Sequence, residues 1–270
     1  MTTLVLKTDA DSPDPAVIRR AADTLRGGGL VAFPTETVYG LGANALSAEA
    51  ASRIFAAKGR PPTNPLIVHI ADVHEVLNVA AAWPETAAAL AGRFWPGPLT
   101  LVLPKNPAVP DLVTAGGPTV AVRWPAHRVA LALIRAAGVP VAAPSANRST
   151  ELSPTRAEHV LQSLNGRIDV VLDGGPCSGG IESTVVDVTG DVPRVLRPGL
   201  VTVPMLEAVV GKVWASGGCE PPGSSTGVAR SPGQMLKHYS PKTPLRLADA
   251  DDLLESILEF RQTHQKVGVL

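Results

Sequence analysis

The segment VAFPTETVYGLGANALSAEAASRIFAAKGRPPTNPLIVH, residues 31 to 69, restricts the folds open to this chain more than any other stretch. An apolar run, Val31 to Phe33, meets a proline that cannot donate to a sheet ladder, so a buried strand must end at Pro34. Thr35, Glu36 and Thr37 follow at once. Two hydroxyls and a carboxylate at a strand end belong where α/β sheets open onto crevices. Gly40 and Gly42 read as a tight turn or a close backbone approach to a ligand. A helix from about Ser47 to Ala57 then stops at Lys58-Gly59-Arg60-Pro61, leaving two cations at an exposed C-terminal end that the macrodipole favours. On these residues alone, helix capping and anion binding are equal alternatives for Lys58 and Arg60. Pro65 to Ile70 reads as a second strand, with His69 a lone polar residue among Leu66, Ile67 and Val68.

Strands and helices alternate along the rest of the chain. Pro15 to Arg26 carries Val17, Ile18, Ala21, Ala22 and Leu25 on one helical face and ends at the glycines 27 to 29. Those glycines precede a strand and do not open a helix, and no G-x-x-x-x-G-K-[ST] occurs, so they do not make a phosphate loop. Helices are predicted at Pro84 to Arg93, His127 to Ala137 and Thr155 to Leu164. Strands are predicted at Leu99 to Leu103, Thr119 to Arg123, Val139 to Ala142, Val170 to Leu172, Thr184 to Val188 and Arg194 to Leu196. The fold class is α/β, with a twisted mixed sheet and flanking helices.

A chain of 270 residues that is 45% hydrophobic can bury a substantial core. Its 24 basic and 24 acidic residues cancel, which disfavours indiscriminate binding to polyanions. Cys177 and Cys219 form no C-x-x-C, so neither a disulfide framework nor a structural zinc site is expected. His74, His127, His159 and His264 lack metal-ligand spacing. With no signal-like N-terminus and no long uninterrupted apolar run, a cytoplasmic protein without membrane contact is expected.

From about Trp214 to Pro244, Gly, Pro and Ser crowd the chain, so residues 213–244 read as a linker or lid between a domain at 1–212 and a remnant at 245–270. That remnant carries an amphipathic helix pattern at Asp251 to Thr263 and a strand beginning at Val267; it reads as the start of a truncated second domain.

Several ordered motifs span roughly residues 12 to 212: P-T-E-T-V-Y-G-L-G at Pro34 to Gly42, K-G-R-P at Lys58 to Pro61, and N-P-L-I-V-H at Asn64 to His69. After them come F-W-P-G-P-L-T at Phe94 to Thr100, T-V-A-V-R at Thr119 to Arg123, A-P-S-A-N at Ala143 to Asn147, I-E-S-T-V-V-D at Ile181 to Asp187 and L-R-P-G at Leu196 to Gly199. In this order the chain resembles the YrdC/YciO family, whose best-known members make threonylcarbamoyl-AMP for the modification of adenosine 37 in tRNA. Ser231-Pro232-Gly233 and Lys237 to Pro241 resemble the linker of the two-domain members, although Gln234, Met235 and Leu236 depart from the commoner residues there.

The resemblance implies a single domain with a deep cavity on one face of the sheet, and a reaction of L-threonine, bicarbonate or CO2, and ATP that releases pyrophosphate. It carries Lys58, Arg60, Ser145 and Asn147 to catalysis. Thr35, His69, Arg123, Ala143 and Ser183 go with it to threonine, and Lys58, Arg60, Thr119, Ser145, Ser153, Arg197, His238 and Tyr239 to the nucleotide. Mg²⁺ would arrive with ATP and lie near Asn147. The downstream tRNA-modifying transferase is the implied partner, with a weak tRNA contact and double-stranded RNA binding among the family's attributes. Residue chemistry agrees where it can: Arg is a planar fork for carboxylate or phosphate, and Lys a compact charge. The plain alternatives are a core histidine for His69 and a salt bridge from Arg123 to Asp173 or Glu182. A non-catalytic nucleotide- or RNA-binding module is the alternative for the whole chain.

Overall fold

The computed structural model describes residues 2–215 and 247–263, which fall in two units. In the first unit, strand β1 (Leu4–Lys7) leads to helix α1 (Pro15–Arg26), capped by the Asp14 carboxylate on the Ala16 N–H. Proline at the first helical position costs no hydrogen bond there. The chain then forms β2 (Val31–Phe33), β3 (Gly40–Asn44) and α2 (Ala48–Lys58). Ser47 caps the start of α2, and Gly59, left-handed at φ 61°, closes its end. After β4 (Ile67–His69) come the short α3 (Val76–Val79), α4 (Glu85–Phe94), β5 (Leu99–Pro104), β6 (Thr119–Arg123) and α5 (Arg128–Ala137). The unit continues with β7 (Val141–Ala142), α6 (Ala157–Leu164), β8 (Val170–Asp173), β9 (Thr184–Asp187), β10 (Arg194–Arg197) and α7 (Val203–Val210). In the second unit the described residues form helix α8 (Leu253–Thr263) after a short 3₁₀ turn.

Ten strands form one mixed sheet in the order β1-β8-β2-β3-β7-β4-β6-β5-β9-β10. Alternation along each strand sorts the side chains to two faces. Ala32, Val68, Leu99, Leu101, Val120 and Val122 join the large cluster beneath α2, α4 and α6, while Val31 and Phe33 pack with α1 and α5 on the other side. On that other side, β4, β5, β6 and β9 carry a separate small cluster, Ile67, Val102, Ala121 and Val185. The candidate site lies along this stretch.

The helices expected from periodicity all form, within a residue or two. Four elements were not anticipated: β1, β3, α3 and α7. Gly40 and Gly42 are strand residues, not a turn, because β3 pairs antiparallel with β2 and crosses Phe33. A Cβ on Gly42 would stand 2.8 Å from Phe33 Cε1 and 2.8 Å from Val141 Cγ1, so the glycine makes room for two core side chains. At the expected linker's start, Trp214 is tied to the sheet: the Val195 N–H donates to its carbonyl at 2.8 Å. The lid expected near Ser231 to Pro241, with His238 and Tyr239, and the strand at Val267 lie outside the described residues.

Candidate active site

Parallel pairing of β4 with β6 sets His69 directly beside Arg123, at the strand ends that follow the two apolar runs. Both side chains are buried. An arginine there must be paired, since an isolated buried charge is prohibitive. Arg123 Nη2 donates to Glu36 Oε1 at 2.6 Å, Nη1 to Thr37 Oγ1 at 3.0 Å, and Nε to the Gly97 carbonyl at 3.3 Å. Its ion-pair partner is therefore Glu36, from the turn after β2, and neither Asp173 nor Glu182. Thr35 Oγ1 donates to the Val38 carbonyl at 2.7 Å and lies 2.8 Å from Thr37 Oγ1, so the polar turn is internally bonded. Burial, then the charge of Arg123, holds the His69 pKa down to about 3. The imidazole is neutral, with Nδ1 against the Ile67 carbonyl and its ring edge-on to Phe33.

Lys58 corrects a second expectation. The end of α2 is not exposed at this residue: Lys58 is only 2% accessible, and its ammonium donates to the carbonyls of Ser145 (2.6 Å) and Asn147. Burial first, then the charge of Arg60, presses its pKa well below the ordinary lysine value. Lys58 thereby ties α2 to the A-P-S-A-N loop, which is also held by a bridge between Ser145 and Gly40. Within the loop, Asn147 Nδ2 donates to the carbonyls of Arg148 and Glu151, while its Oδ1 is buried without a partner.

Arg60 Nε and Nη2 donate to the carbonyls of Asn64 and Pro65. Burial and the nearby Arg197 charge lower its pKa to about 9, which leaves the guanidinium charged at neutral pH. Arg197 in turn donates from Nε and Nη2 to the Ser183 carbonyl, and from Nη2 to Ser183 Oγ at 3.1 Å. Ser183 Oγ also lies 2.7 Å from Thr100 Oγ1. Ser153 Oγ donates to Glu182 Oε1.

These elements enclose a cleft of roughly 490 Å³, counted to its open mouth. Of the site residues singled out in sequence, Thr35, Arg60, His69, Arg123, Ala143, Ser145, Ser183 and Arg197 line it, as does Gly40, read in sequence as a tight turn or a close backbone approach to a ligand. Lys58, Asn147, Thr119 and Ser153 do not; Lys58 is bonded to the loop's Ser145 and Asn147 carbonyls, and Ser153 reaches the wall through Glu182. Thr119 shares the Arg123 face of β6 but begins that strand, about 13 Å away at strand rise. His238 and Tyr239 are outside the described residues. The wall also holds Thr37, Val38, Ile67, Pro144 and Glu182, which sequence reasoning left off the site. Thr37 had a signal, as the second hydroxyl of the polar turn after Pro34.

Glu182 is the one carboxylate on the described cleft wall, and no group of three His, Cys, Asp or Glu among the described residues could hold a metal ion by itself. No helix among the described residues is long and apolar enough to cross a membrane.

Residues 23–199 match the Sua5/YciO/YrdC family, described as telomere recombination, and residues 201–270 match the C-terminal domain of threonylcarbamoyl-AMP synthase. A threonylcarbamoyl-AMP synthase of Bacillus subtilis is 48% identical over 266 residues, covering 97% of this chain and 76% of the relative. The crystal structure of Pyrococcus abyssi Sua5 complexed with L-threonine superposes with a TM-score of 0.89 at 45% identity, covering 97% of this chain and 78% of that one. Escherichia coli YciO matches at a TM-score of 0.69 and 25% identity, over 76% of this chain and 99% of its own. This chain belongs to the Sua5/YciO/YrdC family, with a region matching the synthase C-terminal domain following the family domain.

Proposed function

We propose that this chain is an L-threonylcarbamoyladenylate synthase, a nucleotidyltransferase that joins L-threonine, bicarbonate or CO2, and ATP and releases pyrophosphate for threonylcarbamoyladenosine synthesis on tRNA. The observation that carries this reading is the gathering of Arg60, Arg123 and Arg197 on one cleft wall where Glu182 is the single lining carboxylate among the described residues. Two anionic substrates can share such a site only if cations offset their repulsion.

In this reading Arg123 receives the threonine carboxylate, beside Thr35, the neutral His69, the Ala143 backbone and Ser183. The amine captures CO2, losing a proton as the C–N bond forms, and the resulting N-carboxylate attacks the α-phosphorus while the bond to pyrophosphate breaks. Arg60, Arg197 and the Ser145 hydroxyl take the phosphates, and charge neutralisation with alignment supplies most of the catalysis. Lys58 and Asn147 serve this step by holding the loop that carries Ser145. Thr119 and Ser153 would reach the nucleotide from the edges of the cleft.

Mg²⁺ would come bound to ATP and offset charge on the phosphates; hard oxygen donors fit it, and the orphaned Asn147 Oδ1 and the Glu182 carboxylate are the candidates here. Such a protein works in the cytoplasm and hands its product to a tRNA-modifying transferase. Incubation with ATP, Mg²⁺, bicarbonate and threonine, followed by mass spectrometry, should yield threonylcarbamoyl-AMP and pyrophosphate in equal amounts. Nucleotide binding without product would instead identify a non-catalytic binding module.

A further inference from the structure

We propose that Glu36 is a positioning residue for amino-acid recognition: from outside the cleft lining it fixes the Arg123 guanidinium that receives the threonine carboxylate. The inference rests on the assignment of Arg123 to threonine made above.

Glu36 is absent from the cleft wall, whereas both groups flanking it in the network, Thr37 and Arg123, line the wall. Its carboxylate is held at both oxygens. Oε1 accepts from Arg123 Nη2 at 2.6 Å, and Oε2 accepts from the Ala126 N–H at 3.1 Å. Its backbone is fixed as well, because the Gly179 N–H donates to the Glu36 carbonyl at 2.8 Å and the Gly180 N–H to the Thr37 carbonyl at 2.9 Å. A Cβ on Gly179 would stand 2.8 Å from the Glu36 carbonyl oxygen, so glycine is required for that approach.

Proton accounting runs through the neighbouring hydroxyls. The single Thr35 hydroxyl proton goes to the Val38 carbonyl, so Thr37 must donate to Thr35 and accept from Arg123 Nη1. With Nε on Gly97, each terminal nitrogen keeps one N–H uncommitted by these bonds for an incoming carboxylate. Glu36 therefore does two things. It offsets a buried positive charge before substrate arrives, and it stops the fork from rotating about its last side-chain bonds.

Steady-state kinetics with threonine and ATP varied separately test this, on Glu36→Ala, Glu36→Gln and Arg123→Lys. Glu36→Ala should raise the threonine KM about tenfold, the loss of one charge-assisted contact, and leave the ATP KM unchanged. In Glu36→Gln one end of the amide must face a donor, either Ala126 N–H or Arg123, so the threonine KM should rise about threefold or more, with ATP again unaffected. A purely structural role would lower the melting temperature and the amount of active enzyme without separating the two KM values. If Glu36→Ala does not fold, Glu36→Gln decides alone. A smaller rise, or equal rises for both substrates, overturns the inference. Arg123→Lys separates the two readings: if it leaves the threonine KM unchanged, the assignment of Arg123 itself fails. If it raises that KM while the Glu36 variants do not, only the role of Glu36 fails.

Discussion

Lys58 Nζ donates to the backbone carbonyl of Ser145 at 2.6 Å, joining residues 87 apart in sequence and fixing the loop that brings Ser145 to the cleft. The ammonium is a structural tie first. Each charge-assisted bond to a carbonyl is worth roughly 1.5–3 kcal/mol, and removing the donor also leaves buried carbonyls unpaired.

Lys58→Ala should accordingly lower stability by about 2 kcal/mol or more, and activity should fall with it. Urea unfolding followed by assays on the folded fraction provides the check. A variant with unchanged stability and lost activity would instead mean that Lys58 leaves the loop and meets phosphate directly.

Arg60 is the better candidate for anion contact, since it lines the cleft near Arg197 and its hydrogen bonds to the described residues use Nε and Nη2 only. Bound pyrophosphate should raise the melting temperature of the wild type; at about a hundred times its Kd the stabilisation is roughly 2.7 kcal/mol. Arg60→Gln should lose most of that rise while keeping threonine affinity, as read by thermal shift with each ligand. An undiminished rise would leave Arg60 as a tie for Asn64 and Pro65 only.

Much of this was legible in the sequence, and the gaps have a common cause. The strand-ending Pro34 and the capped helices are legible because local periodicity and turn chemistry are written in consecutive residues, whereas the eight expected site residues that share the cleft were implied by the resemblance of the ordered motifs. Partnerships across the fold are not. Glu36 and Arg123 meet across 87 positions, and no local pattern separates that pairing from one with Asp173 or Glu182. Lys58 looked solvated because its partners are carbonyls, which every residue has. Gly42 reads locally as a turn or a close approach to a ligand because the bulk that excludes a side chain there belongs to Phe33 and Val141.

His69 makes the protein acid-sensitive in a defined window. Its folded pKa, about 3, lies below the ordinary value of 6.5, so between those limits the unfolded chain binds more protons. Its contribution to stability is therefore complete above pH 6.5 and is lost as pH falls toward 3. At about 1.4 kcal/mol per unit the effect amounts to a few kcal/mol. His69→Asn should flatten the difference in unfolding free energy between pH 7 and pH 4 relative to wild type. Identical slopes for the two proteins would show that the ring is accommodated in its charged form.

Gly199, which ends the L-R-P-G motif, packs against the wall that carries Glu182 and Ser183. A Cβ there would stand 2.5 Å from the Thr184 nitrogen and 2.6 Å from the Glu182 carbonyl oxygen. Both are backbone atoms, so no side chain can swing aside. Thr184 is held in place besides, its N–H on the Pro98 carbonyl at 3.0 Å and its hydroxyl on the Val201 carbonyl at 2.7 Å. Gly199→Ala must then displace the backbone on either side of Ser183, whose carbonyl and hydroxyl anchor Arg197. Stability should fall by about 1–3 kcal/mol, the cost of overpacking, and threonine affinity should fall with it. Gly92→Ala is the matched control, since it lies exposed in α4 with no atom near its Cβ position; it should stabilise by roughly 0.5–1 kcal/mol. Denaturant unfolding and calorimetric titration with threonine read both effects. Wild-type stability and affinity in Gly199→Ala would show that the wall yields, and that the glycine is not needed for close packing.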